Sequence, residues 1–198
     1  MKIEPLLEGN YYHIYNRGIN GENIFDGKSD YENFLMKYPI YLDKIIETLA
    51  YCLLGNHFHL LAYINENIFE TRRDGSGDVR LNASKQLGHF FNAYAQKFNY
   101  NHSRTGSLFE SPFHRKRVTN NDYLTAVILY IHGNPQHHGF VRNFASWPYS
   151  SYHAIVNNEV TFVNTRWILD WFGGRDLFIK AHDQYRCVPG NESWMIEP

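Results

Sequence analysis

Two apolar segments separated by a pair of turn residues restrict the fold of this chain most. Residues 47–54 (ETLAYCLL) and 57–64 (HFHLLAYI) are both rich in strand-forming side chains, and Gly55-Asn56 lies between them. Segments of this kind joined by two turn-forming residues are typical of an antiparallel β-hairpin. The fold must therefore contain a sheet in which these two strands are neighbours.

Flanking segments extend this hairpin to a larger sheet. Residues 11–16 (YYHIYN) alternate in hydrophobicity and predict a first strand, and residues 113–118 (FHRKRV) predict a basic last strand. Helical spacing predicts helices over residues 29–46 and 82–98. The order β-α-β-β-α-β is that of an α+β, ferredoxin-like split βαβ fold, with a four-stranded antiparallel sheet backed by two helices.

The remaining segments carry weaker signals. Pro39 predicts a kink or a break in the first helix, and residues 65–77 read as a mobile loop. A further helix is predicted over residues 121–133, ended by Gly133-Asn134-Pro135. We expect one domain of residues 1–155, followed by a helical tail of residues 156–198 with short helices at 167–172 and 177–182.

Charge is unevenly distributed along the chain. The 198 residues have a net charge of −1, but residues 70–118 hold nine Lys and Arg against four acidic residues. This basic middle is compatible with a local phosphate-binding surface, and equally with an ordinary solvated surface. The acidic N-terminus does not resemble a signal peptide, the two cysteines match no metal or redox spacing, and no apolar run could span a bilayer. We expect a cytoplasmic protein without a membrane segment.

The motif His57-Phe58-His59 is the first chemical signal. Residues i and i+2 of a strand point to the same face, so the two imidazoles project together while Phe58 points to the other face. Neighbouring neutral imidazoles can serve as two ligands of a metal ion. The alternative is two histidines on a solvated sheet face.

Tyr130 and Asn134 are the second signal. A spacing of four places a phenol and a carboxamide side by side on one helix face. A tyrosine can act as a covalent nucleophile on a phosphate that a metal polarises, and the amide oxygen one turn away could be a third metal ligand. The alternative is that Tyr130 fills the core and Asn134 only precedes Pro135.

Several separate motifs, in order, resemble one known family. They are CLLGNHFHLL, TGSLFESPFHRKRV, YIHGNPQHHGFV and WPYSSY. From about Tyr11 to Tyr152 the chain is similar to the IS200-like Y1 transposases of the HUH endonuclease superfamily, and most similar to their REP-associated tyrosine transposase branch.

This resemblance implies a specific site and reaction. His57 and His59, with Asn134, would hold Mg²⁺ or Mn²⁺, and Tyr130 would attack a phosphodiester. The implied product is a 5′-phosphotyrosine with a free 3′-OH, which a second 3′-OH can reverse to rejoin strands. Residues 1–155 would be the catalytic domain. The implied partner is single-stranded DNA folded into an inverted-repeat, REP-like hairpin.

Basic residues supply the candidates for DNA contact, although a structural ion pair is an equal alternative for each. They are Arg17, Arg72, Arg73, Arg104, Arg115, Lys116 and Arg117. Strand alternation places Arg115 and Arg117 on one face.

Other functions and assemblies stay open from the sequence. The same fold could serve as a domesticated or inactive hairpin-binding protein, or as a metal-dependent hydrolase in which water attacks. The tail favours a monomer over a helix-swapped homodimer. A further hypothesis is that the tail, from Thr161 onward, covers part of the active site as an autoinhibitory flap.

Overall fold

A four-stranded antiparallel sheet forms the centre of the molecule. The structure is a computed structural model, and it describes residues 4–72 and 74–185. Its strands are β1 (Tyr11–Arg17), β2 (Ile46–Leu54), β3 (His57–Ile64), β4 (Phe69–Thr71), β5 (Asp78–Arg80) and β6 (His114–Val118). The main sheet has the strand order β2-β3-β1-β6, and β4 pairs with β5 in a separate hairpin. The predicted β2–β3 hairpin and the four-stranded antiparallel sheet are confirmed.

Six α-helices accompany the strands in the described part of the chain. They are α1 (Lys28–Leu42), α2 (Ala83–Asn101), α3 (Asn121–His137), α4 (Tyr152–Val156), α5 (Thr165–Phe172) and α6 (Arg175–Gln184). None of the described helices is long and apolar enough to cross a membrane.

The sheet is covered on both faces, and strand alternation decides which residues point to which layer. One face carries Tyr12, Ile14 and Phe58, which pack in a core cluster with α1 and α2. The other face carries Leu61, which packs in a second cluster with α3 and with buried residues of α4, α5 and α6. The helix α3 thus lies between the sheet and the tail.

The end of the first helix differs from the prediction. The first helix ends at Leu42 rather than near Ile46, because Ile46 already pairs with Ile64 in the sheet. The helix continues past Pro39, whose carbonyl accepts a hydrogen bond from the N–H of Asp43.

The predicted end of α3 at Gly133 is also wrong. The helix runs through Pro135 to His137, and Asn134 and Pro135 are both buried in it. A proline inside a helix removes one backbone hydrogen bond, and burial of the surrounding turn can offset that loss. The consequence is that Asn134 keeps a helical position one turn beyond Tyr130.

The predicted loop over residues 65–77 is partly ordered. Phe69 pairs with Arg80 and Thr71 with Asp78, which makes the short β4–β5 hairpin. The guanidinium of Arg80 donates to both carboxylate oxygens of Glu8, at 3.1 and 2.8 Å, and this ties the hairpin to the segment before β1.

Candidate active site

The two histidines of the HxH motif lie side by side under α3. His57 and His59 belong to β3, next to the centre of the sheet, and both are buried. Their ring centroids are 5.2 Å apart with the rings nearly perpendicular. Phe58 points to the opposite face and packs among the side chains of α1 and α2, as alternation requires.

Tyr130 and Asn134 belong to α3, and their side chains lie next to this histidine pair. The ring of Tyr130 is 5.4 Å from that of His59, centroid to centroid, and lies edge-on to it. The amide oxygen of Asn134 is 3.1 Å from Nε2 of His57. The structure thus brings together all four residues that the sequence analysis selected, at one place between β3 and α3.

The contact between His57 and Asn134 bears directly on metal binding. Nδ1 of His57 is 2.8 Å from the side-chain oxygen of Asn56, which can only accept, so Nδ1 carries a proton. In a neutral ring, Nε2 then has a lone pair, and it faces the Asn134 oxygen. In that tautomer both atoms are acceptors, and a cation bound beside them would satisfy both. Ligands at right angles around Mg²⁺ are about 3 Å apart, so these residues fit such an ion.

His59 carries a second buried nitrogen, on a ring 5.2 Å from that of His57. Its Nε2 is buried without a hydrogen-bond partner among the described residues, and so is Nδ2 of Asn134. Burial, together with the neighbouring His13, His57 and His138, holds the pKa of His59 well below its usual value, so the ring is neutral. Within residues 4–72 and 74–185, no three His, Cys, Asp or Glu side chains gather as a metal cluster. An ion would therefore depend on the Asn134 carboxamide and on water or phosphate oxygens.

His13 is a site residue that the sequence analysis missed. Its Nε2 is 2.9 Å from Nδ1 of His59, and both rings are buried and stacked. Burial, with Lys116 nearby, lowers the pKa of His13 to about 3. The alternation of residues 11–16 indicated a strand but not its partner. The register sets Tyr15 opposite His59, so His13 is the diagonal neighbour of His59.

A second buried histidine pair, also missed, lies on the other side of α3. Nδ1 of His132 is 2.8 Å from Nε2 of His182 in α6, and Nε2 of His132 is 2.8 Å from the hydroxyl of Ser151. His132 sits midway between Tyr130 and Asn134 in the sequence. It therefore links the helix that carries both to the tail.

Membership of a family follows from comparison with known proteins. The chain matches no family model. Over 157 residues it is 30% identical to a REP-associated tyrosine transposase of Haemophilus influenzae, and the match covers 78% of this chain and 79% of that protein. The chain belongs to the REP-associated tyrosine transposase family.

The fold of this tyrosine transposase is also similar to a solved structure. A REP-associated tyrosine transposase bound to a REP hairpin matches with a TM-score of 0.59 and 16% identity, over 79% of this chain and 85% of the other. At that identity the likeness establishes the shared fold alone.

Two of the candidate DNA-binding arginines of this transposase are engaged in ion pairs. Nε of Arg17 is 2.7 Å from a carboxylate oxygen of Glu110, and Arg104 pairs with Glu22. Arg104 also donates to the carbonyl of Ser107 at 2.9 Å. Both arginines therefore hold loops in place in the structure.

The basic strand β6 divides its cations between the two faces. Arg115 and Arg117 stand opposite Ile14 and Tyr12, on the face covered by α1 and α2, as alternation predicted. Arg115 also stacks on Phe113 and donates to the Ser84 hydroxyl at 2.8 Å.

Lys116 differs from Arg115 and Arg117, because it stands opposite His13 on the face that carries His57 and His59. Its ammonium is 5.6 Å from the Tyr123 ring centroid. Arg72 is exposed at the turn of the β4–β5 hairpin, and Arg73 lies outside the described residues.

Proposed function

We propose that this chain is a metal-dependent endonuclease and strand transferase that acts on single-stranded DNA containing a hairpin. One observation carries the proposal: Tyr130, His59, His57 and Asn134 converge in one buried place, where Nε2 of His57 lies 3.1 Å from the amide oxygen of Asn134. Membership of the transposase family and the hairpin bound to the structural relative support the same class of substrate.

His57, His59 and Asn134 are the residues that would hold the ion, through two imidazole nitrogens and one amide oxygen. The ion, Mg²⁺ or Mn²⁺, would neutralise charge on the scissile phosphate as it develops. Because two of the three ligands are nitrogen, we expect Mn²⁺ to bind more tightly than Mg²⁺.

The proposed chemical step is a transesterification at Tyr130. The phenol loses its proton, its oxygen forms a bond to phosphorus, and the bond from phosphorus to the 3′ oxygen breaks. The 3′ oxygen leaves and takes up a proton, so that a 3′-OH and a 5′-phosphotyrosine remain. No oxidation or reduction occurs and the number of phosphoester bonds is unchanged, so attack by another 3′-OH can rejoin strands.

We infer that the β1-α1-β2-β3-α2-β6 unit is a ferredoxin-like split βαβ domain, with α3 as the added helix that carries the nucleophile. We further propose that the protein acts as a monomer in the cytoplasm and recognises the shape of the hairpin together with a few unpaired bases.

The test uses end-labelled, single-stranded oligonucleotides that span an inverted repeat from the DNA flanking the gene. The full-length protein is incubated with each oligonucleotide and Mn²⁺ or EDTA, and products are separated on denaturing protein gels. A 5′-phosphotyrosine predicts that label at the DNA 3′ end moves with the protein, whereas label at the 5′ end is released. Tyr130→Phe should form no adduct, and Tyr100→Phe, at an exposed tyrosine, should behave as the wild type.

Each contrary outcome identifies a different error. Cleavage without any adduct would mean that water attacks, as in a metal-dependent hydrolase. Hairpin binding without cleavage, with Mn²⁺ present, would indicate a DNA-binding protein that has lost activity. An adduct that persists in Tyr130→Phe would place the nucleophile elsewhere.

A further inference from the structure

We infer that His13 is a positioning residue for the metal site: it accepts the Nδ1 proton of His59 and so directs the Nε2 lone pair of His59 toward the ion. The inference rests on the proposed function, since it concerns the same site. It assigns a role to a strand β1 residue that lies outside the HxH motif and the tyrosine helix.

The distance between the two rings limits where their protons can be. Nε2 of His13 and Nδ1 of His59 are 2.9 Å apart, a hydrogen-bond distance that requires one proton between them. If His13 were the donor, a neutral His59 would carry its other proton on Nε2. That atom is buried with no acceptor among the described residues, and a buried N–H without an acceptor is costly.

The opposite arrangement removes this cost. When His59 donates from Nδ1 to His13, its Nε2 has a lone pair instead of a proton. The His57 ring lies 5.2 Å from that of His59, centroid to centroid, so this lone pair is available to a cation bound beside His57 and Asn134. A metal-ligating histidine commonly donates its other N–H to a fixed acceptor, which sets its tautomer and ring orientation.

The sheet holds His13 firmly in this role. Its strand is paired on both sides, with Leu61 of β3 opposite it on one side and Lys116 of β6 on the other. The His13 ring stacks on His59 at 5.0 Å and meets the Tyr130 ring edge-on at 6.0 Å. One buried ring therefore touches both the proposed ligand and the proposed nucleophile.

Two variants of His13 separate hydrogen bonding from packing. His13→Gln keeps an acceptor oxygen on the side chain, whereas His13→Phe keeps a flat ring but has no acceptor. Binding of Mn²⁺ alone to the full-length protein is measured by electron paramagnetic resonance titration. The tautomer of His59 is read from its ¹⁵N shifts in metal-free protein. His182→Gln is the matched control, because it alters the other buried histidine pair.

We expect His13→Phe to lower the affinity for Mn²⁺ about 10- to 100-fold and to move the His59 proton toward Nε2. His13→Gln should recover most of that affinity, and His182→Gln should bind Mn²⁺ as the wild type does. Wild-type affinity and an unchanged His59 tautomer in His13→Phe would overturn the inference.

The same measurements distinguish the two proposals. A wild-type protein that binds no Mn²⁺ and forms no adduct would refute the proposed function itself. If His13→Phe does not fold, the wild-type ¹⁵N shifts still decide, because a proton on Nε2 of His59 contradicts the inferred hydrogen bond.

Discussion

His132 in α3 donates from Nδ1 to Nε2 of His182 in α6, across 2.8 Å. The direction of this bond is fixed by its surroundings. Nδ1 of His182 must donate to the carbonyl of Phe178 at 2.8 Å, so its Nε2 accepts. Nε2 of a neutral His132 then accepts from Ser151, whose oxygen accepts from the Tyr51 N–H.

We predict that His182→Leu destabilises the protein by about 2 kcal/mol, because it leaves a buried His132 nitrogen without its partner. The corresponding fall in melting temperature is roughly 4–8 °C for a chain of this size. Thermal unfolding followed by circular dichroism measures it. Lys180→Ala, at an exposed position of the same helix, is the control and should unfold at the wild-type temperature.

The same pair predicts a loss of stability in acid. Burial lowers the pKa of His182 to about 4 and that of His132 well below its usual value, although the carboxylate of Asp183 partly opposes the shift at His182. Below pH 6.5 the unfolded state therefore binds more protons than the folded state does. The contribution of this histidine pair to the free energy of unfolding is complete above that pH and declines as the pH falls toward 4. Denaturant unfolding at a series of pH values tests this, and His182→Leu should flatten the dependence. An equally steep profile in the variant would contradict the assignment.

Deletion of the chain from Thr161 onward should prevent stable folding. The deletion removes Val163, Ile168 and Phe178, all buried in the cluster that includes α3. Each contributes about 1.5–3 kcal/mol by burial, and the sum approaches the total stability of a typical domain. Loss of the cooperative thermal transition is the expected result.

A folded protein after that deletion would show that the tail is dispensable. The autoinhibitory-flap hypothesis requires that the protein folds without the tail from Thr161 onward and then forms the adduct faster. Loss of folding or an unchanged rate would contradict it.

Asn134 should matter through its oxygen. Asn134→Leu removes the proposed ligand and should slow adduct formation with Mn²⁺ by about 10²–10³-fold, a range typical of losing one group that stabilises charge in a transition state. Asn134→Asp keeps an oxygen in place and should retain more activity than Asn134→Leu. Equal rates for the two variants in single-turnover assays would exclude a ligand role.

Lys116 should contribute more to DNA binding than Arg17. Both side chains lie on the sheet face of the histidine pair, Lys116 opposite His13 and Arg17 opposite His57, and the guanidinium of Arg17 pairs with Glu110 at 2.7 Å. We expect Lys116→Ala to weaken binding of a single-stranded hairpin oligonucleotide and to reduce the slope of log affinity against log salt by about 0.7. Arg17→Ala should change the slope less. Fluorescence anisotropy over a salt series measures both, and the reverse ranking would contradict this placement.

The sequence predicted the elements of the sheet well because their signals are local. Residues 57–64 are rich in strand-forming side chains and follow a turn pair, and β3 has those bounds in the structure. His57 and His59 share a face for the same local reason. The end of α3 was predicted wrongly because Pro135 is a local helix breaker, and only tertiary burial shows that the helix tolerates it.

The missed residues depend on distant pairing. His13 lies 46 positions before His59, and His132 lies 50 before His182. Nothing in the local pattern around these histidines specifies their partners. Strand register supplies the first pair, and the docking of the tail supplies the second.

The burial of Tyr130 limits the rate of any reaction at its oxygen. The side chain is 1% exposed, beneath its own helix and above the histidine pair. A phosphodiester can reach it only in a conformer in which this layer has opened. The observed turnover would then be the intrinsic rate multiplied by the population of that open conformer. Substitutions that loosen the packing around α3 could therefore accelerate nicking while they lower the melting temperature.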